Sequence, residues 1–149
     1  MKNMLLDKND ILNIAKNTLH EKDYTCVLYN GEVFLTSNLR GVAPLIKLIG
    51  QRGTFEGFCV ADKVIGKAAA LLYVKMKISC VYADTISEGA VSVFENYGVP
   101  FSFSKKCEYI INRKGDDLCP MEKAVKSIFN PEEAFTAICE RLAELKQSE

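Results

Sequence analysis

Two short runs, Gly57-Phe-Cys-Val-Ala61 and Ile78-Ser-Cys-Val-Tyr82, are apolar at nearly every position. Strands that read this way, with no polar alternation, are buried on both faces. Each run leads into a helical pattern. Val64 to Val74 is apolar and Ala-rich, and Ser87 to Tyr97 is stopped by Gly98 with Pro100 beyond it. A doubly buried strand followed by a helix, twice over, needs a sheet covered on both sides. That requirement restricts the chain to an α/β architecture.

The other segments fit around this unit. Asp10 to Leu19 places Ile11, Leu12, Ile14, Ala15 and Leu19 at helical spacing. Tyr24 to Tyr29 and Glu32 to Thr36 flank Asn30-Gly31, a strong hairpin signal. Val42 to Ile49 has helical period, with Pro44 in its first turn. Phe101-Ser-Phe103 and Glu108 to Asn112 predict short strands. Pro120 to Ile128 and Pro131 to Leu145 predict helices that open on proline. The expected fold is a three-layer α-β-α sandwich with a mixed sheet, as a single domain over residues 1–149.

With 149 residues, 48% of them apolar, the chain can bury a core without disulfide staples. Its formal net charge of zero argues against nucleic-acid binding by bulk electrostatics. No apolar run approaches the roughly 20 residues of a membrane helix. The start, MKNMLLDKNDILNIAK, carries acids inside its apolar pattern, unlike a secretory signal. The six cysteines, Cys26, Cys59, Cys80, Cys107, Cys119 and Cys139, include no C-x-x-C pair. A reduced, cytoplasmic protein with no membrane partner is the expectation.

The segment Ala61-Asp-Lys-Val-Ile-Gly-Lys-Ala68 approximates a phosphate loop, and it sits between a strand and a helix as such a loop must. Lys67 takes the place of the phosphate-binding lysine, and the later apolar strand ends in Asp84. The mechanism is incomplete, however. Ala68 has no hydroxyl for magnesium, and β-branched Val64 and Ile65 resist the inward turn of successive amides. A strand, a tight turn and a helix packed close to the sheet is the favoured reading.

The stretch GFCVADKVIGKAAALLYVKMKISCVYAD resembles the strand, cysteine-bearing helix and following strand of zinc-dependent nucleoside and base deaminases. TISEGAVSVFENYGVPFSF resembles their next helix and strand. The resemblance implies a cytidine deaminase-like fold over nearly the whole chain. The zinc chemistry does not carry over. Ala61 stands at the motif proline, and Asp62 and Ile65 stand where cysteine ligands would. Arg40-Gly-Val-Ala-Pro-Leu45 offers no His-x-Glu. The only histidine, His20, reads as a neutral, solvated residue at the end of the first helix. The segments Ala61-Asp-Lys-x-x-Gly-Lys-Ala-Ala-Ala70 and Cys119-Pro-Met-Glu122 are similar to a small prokaryotic family of unknown function. That family is placed on the same fold and lacks the zinc site. This resemblance implies a zinc-less domain and no particular activity.

Ligands of open α/β sheets bind where strand ends meet helix starts. The ligand-binding candidates there are Arg40, Asp62, Lys63, Lys67, Asp84, Ser87 and Cys119, with Thr85 beside them. Helix capping competes for the polar ones, since Thr85 and Glu88 have capping-box spacing. Lys63 and Lys67, read as one helical turn apart, would grip one anion together. Lys67 would otherwise extend to solvent. Cys119 precedes a helix whose dipole favours a thiolate, with Glu122 as the second half of a cap. Asn112 and Arg113 either line the same cleft or form an exposed turn.

The expected function is therefore binding of a small anionic or nucleotide-like ligand without deamination, with no metal or cofactor. One alternative is a non-zinc enzyme using Cys119 or Lys63 and Lys67 with Asp62. The other is an oligomeric scaffold that buries Val64 to Val74 against a second subunit. A homo-oligomer is expected.

Overall fold

The structure is a computed structural model describing residues 7–52, 54–112 and 114–147. Among these described residues are six helices, α1 (Lys8–Glu21), α2 (Ala43–Arg52), α3 (Lys67–Met76), α4 (Glu88–Tyr97), α5 (Pro120–Ala124) and α6 (Pro131–Gln147). The strands are β1 (Cys26–Tyr29), β2 (Phe34–Ser37), β3 (Cys59–Ile65), β4 (Cys80–Ser87) and β5 (Phe101–Cys107). They form one five-stranded sheet in the order β2-β1-β3-β4-β5. β1 runs antiparallel to both β2 and β3, whereas β3, β4 and β5 are parallel. The sheet is mixed, as expected.

Alternate residues of the strands serve two separate cores. Val27, Tyr29, Ala61 and Tyr82 pack with Ala15 and Leu19 of α1. Leu28, Val60, Val81 and Ala83 pack into the larger core with α2, α3, α4 and α6. Helix α3 is the centre of that core, with Ala68 to Tyr73 and Met76 all buried. A helix that is apolar almost all round belongs where neighbours surround it, and α3 contacts α2, α4, α5 and α6. Each fully buried leucine there, such as Leu71 or Leu72, contributes about 1.5–3 kcal/mol by leaving water. Of the Val64 to Val74 stretch assigned by sequence to a second subunit, the α3 part from Ala68 to Tyr73 is thus consumed within the chain, while Val64 lies in β3 and stays exposed.

Several boundaries differ from the sequence reading, each for a local reason. β3 continues through Asp62, Lys63, Val64 and Ile65. The β-branched pair and the pairing with β4 hold these residues extended. Lys63 therefore lies in a strand, and Lys67 is the first residue of α3. The two are not one helical turn apart. β4 likewise runs on through Asp84 and Thr85 to Ser87. The cap of α4 is then Ser87, whose Oγ accepts from the Ala90 amide at 3.1 Å, and not a Thr85 box. Glu108 to Asn112 forms no strand beyond a single bridge from Ile111 to Leu118. Pro120 to Ile128 shortens to the five residues of α5.

The hairpin has a longer turn than Asn30-Gly31 alone. Asn30 Oδ1 accepts from the amides of Glu32 at 2.9 Å and Val33 at 2.7 Å. That bonding delays β2 until Phe34. The first helix starts earlier than its apolar pattern, because Asp7 and Asp10 form a reciprocal capping box.

Candidate functional site

A cavity of about 1010 Å³ opens between the start of α2, the C-terminal part of β3, the start of α3 and the segment 110–122. This is the upper range for a small-molecule site. Arg40, Asp62, Lys63 and Cys119 all line it. Of the sequence candidates, Lys67, Asp84 and Ser87 are not among its lining residues, so the junction of β4 with α4 does not share the site.

Asp62 lies at the base of the cavity. It is crowded by protein atoms on nearly all sides, yet part of its surface remains open to the cavity. It pairs across the sheet with Cys26 on one side and Ala83 on the other. The Tyr73 hydroxyl reaches back from α3 and donates to Asp62 Oδ2 at 2.6 Å. Cys26 Sγ lies 3.2 Å from the same hydroxyl. The Val64 amide donates to Oδ1 at a longer 3.3 Å.

The electrostatics follow from burial. Desolvation pushes the Asp62 carboxyl up to about 7, against the hydrogen bonds from Tyr73 and the backbone that favour its charged form. Burial, reinforced by the negative charge of Asp62, raises the Tyr73 phenol well above its ordinary range. The Cys26 thiol is raised by the same two causes. Tyr73 is thus a fixed donor and Cys26 an inert thiol. Asp62 exchanges its proton near neutrality, a property suited to acid–base work or to recognition of ligand donors.

Glu122 closes one wall. Its carboxylate accepts from the Lys67 amide and the Ala68 amide, each at 2.9 Å. These are the first free amides of α3, the groups that an anion would seek. Gly66 permits the approach, because a Cβ there would lie 2.6 Å from Glu122 Oε1. The phosphate-loop arrangement is therefore occupied by a side chain of the protein itself. Glu122 caps α3, rather than the α5 turn that its spacing from Cys119 suggested.

The cations divide into two groups. Lys67 turns away from the cavity; its Nζ donates to the Lys126 carbonyl at 3.0 Å and sits 4.0 Å above the Phe129 ring. Burial lowers its ammonium, against the pull of Glu122. Lys63 pairs with Asp23 at 3.1 Å. Arg40 and Lys114 line the cavity and make no ion pair among the described residues.

The remaining candidates sit elsewhere. Asp84 lies on the α1 face of the sheet, where His20 Nε2 is 2.7 Å from its Oδ1 and the Tyr82 hydroxyl donates to the same oxygen at 2.7 Å. His20 is thus tied to β4 and is not a free solvated ring. Ser87 is buried under α4. Cys119 lines the cavity, and its amide donates to the Ile110 carbonyl at 2.9 Å. Asn112 also lines it, while Arg113 lies outside the described residues.

Sequence reasoning overlooked Tyr73, Cys26, Glu122 and Lys114 as cavity residues. The usable signal was Asp62 itself: a lone carboxylate inside an apolar strand demands buried partners.

Comparison with known proteins bears on the whole chain. No curated protein matches it. The crystal structure of TM1506, a DUF1893 family protein from Thermotoga maritima, is 30% identical. It superposes with a TM-score of 0.84 over 95% of each chain. The domain of unknown function DUF1893 matches residues 14–142, which include every lining residue of the cavity. The chain belongs to the DUF1893 family.

Proposed function

We propose that this chain is a three-layer, cytidine deaminase-like domain that binds a small anionic, nucleotide-like ligand without deaminating it. The strand order β2-β1-β3-β4-β5, with the starts of α2 and α3 meeting at one cavity, supports that fold reading. The residues that the chain itself contributes at those two helix starts include no zinc ligand, and the one carboxylate there, Glu122, is bonded to the Lys67 and Ala68 amides. Gly41, Val42 and Pro44 stand at one and Gly66, Ala68 and Ala69 at the other. A zinc site takes cysteine, histidine or carboxylate ligands.

The observation that carries the ligand reading is the pairing of opposite functions in one cavity. Among the described residues, Arg40 and Lys114 are lining cations without an ion pair, and Asp62 is a lining carboxylate without a cationic partner. A ligand with an anionic end and a polar, donor-bearing end matches both. Nucleoside monophosphates and sugar phosphates, added to the purified protein, should raise its melting temperature by mass action. Arg40→Ala combined with Lys114→Ala should abolish the shift. Silence toward every anionic compound, or stoichiometric zinc in the purified protein, would refute the reading.

A second reading rests on Asp62 alone. A carboxyl that titrates at about 7 in a cavity could transfer a proton as part of a non-zinc reaction. Turnover that disappears in Asp62→Asn while ligand binding persists would favour it.

A further inference from the structure

The cavity also constrains the uncharged part of its ligand. We propose that the ligand carries a planar nitrogen heterocycle with two adjacent N–H donors, a guanine-type edge, and that Asp62 selects it. This inference rests on the binding reading above and extends it to the base.

An ionised carboxylate can only accept hydrogen bonds, and it has about four acceptor positions. In Asp62 the protein fills part of that capacity. Tyr73 donates strongly to Oδ2, and the Val64 amide donates weakly to Oδ1. By that count each oxygen keeps a further acceptor position, and the residue is half-buried at the lining of the cavity. No Lys, Arg or His among the described residues pairs with it. The nearest cation along the chain, Lys63, is directed to Asp23 instead. The ligand is therefore left to supply donors, and a carboxylate with two free acceptor positions suits paired donors best.

The walls describe the body that carries those donors. Leu39, Val64 and Ile111 line the cavity and are exposed at 66%, 48% and 50%. Val42, Leu45 and Met121 are buried beneath the same surface. Large apolar side chains exposed around a concave site indicate an apolar, flat partner. Arg40 and Lys114 then take the anionic substituent. Hydrogen-bonding sites of this kind discriminate strongly, because a ligand lacking the donors leaves a buried acceptor unpaired.

The test is calorimetric titration of the purified protein at pH 8, above the Asp62 midpoint of about 7. The probes are guanosine, inosine, adenosine and xanthosine 5′-monophosphates, with agmatine as a guanidinium control. Guanosine monophosphate should bind at least about tenfold more tightly than the inosine or adenosine compounds, which lack the paired donors. Asp62→Asn should weaken guanosine monophosphate and strengthen xanthosine monophosphate, whose ring carbonyl can accept from the new amide. Tyr73→Phe keeps the acid but raises its midpoint, so its guanine preference should appear at higher pH than in wild type; this shift serves as the test if Asp62→Asn fails to fold. Equal binding of adenosine monophosphate, no effect of Asp62→Asn, or binding of agmatine alone would overturn the inference. In the first two cases the cavity would still bind anionic ligands. No binding of any nucleotide would overturn both readings together.

Discussion

The hydroxyl of Tyr73 donates to the carboxylate of Asp62 at 2.6 Å, and this bond ties the middle of α3 to the middle of β3. Among the described residues it is the shortest hydrogen bond to that carboxylate. A buried acid held this way stabilises neither the strand nor the helix as well as an apolar pair would. A buried acid that lines a cavity is the kind of position at which the proposed function would give up stability.

Asp62→Asn should therefore stabilise the folded chain at pH 8. Unfolded, Asp62 titrates near 3.8; folded, it titrates at about 7. Between those values the folded state holds a proton that the unfolded state has lost. Stability falls as pH rises through that window. At about 1.4 kcal/mol per unit, the full loss above pH 7 is on the order of 4 kcal/mol at most. The amide removes the slope while still accepting from Tyr73. The variant should melt several degrees higher than wild type at pH 8 and show a flatter pH profile between pH 4 and 7. An unchanged profile would show that Asp62 does not titrate in this window.

Tyr73→Phe should act in the opposite direction on the same acid. The hydroxyl favours the carboxylate form, so its loss should raise the Asp62 midpoint further. The cost in stability should be about 1–2 kcal/mol, since a charged acceptor loses its main partner. Carbon-13 NMR of the Asp62 carboxyl across a pH titration reads the midpoint directly. A midpoint that stays in place would mean that solvent in the cavity replaces the tyrosine.

The architecture was legible because burial leaves a strong trace in composition. Two apolar strands followed by helices determined the α/β class, and the glycine at position 98, with φ of 70°, ended α4 where expected. Strand ends were less legible. Asp62, Lys63, Asp84 and Thr85 look like turn or cap residues, but pairing of β3 with β4 keeps them extended. The site was legible only from the strand side. Tyr73 sits among apolar residues of α3 and carries no local sign that it reaches Asp62. Glu122 lies 55 residues from the amide it caps, a relation that no short pattern contains.

His20→Ala provides a control on the opposite face of the sheet. It removes the contact with Asp84, a pair in which both side chains are partly exposed at 45% and 32%. Exposed pairs contribute about 0.2–1 kcal/mol. The variant should unfold within about 1 kcal/mol of wild type in urea. The proposed nucleotide binding should be unchanged, because Asp84 is not among the residues lining the cavity. A large loss of binding would place Asp84 in the site after all.

Gly66 and Glu122 form the remaining pair, and they account for the phosphate-loop likeness. Glu122→Ala leaves the Lys67 and Ala68 amides without their acceptor at the start of a buried helix. The expected loss is about 1–3 kcal/mol, as for other charged caps. Gly66→Ala should cost a similar amount by a different route, since the new methyl would occupy the position of the carboxylate. The two changes should not add. Once Glu122 is Ala, the space beside Gly66 is open, and Gly66→Ala should cost far less. A double-mutant cycle in urea measures this coupling. A strictly additive result would show that Glu122 does not seat against Gly66 in solution. In that case the amides of α3 would be free for an external anion, as the original sequence likeness suggests.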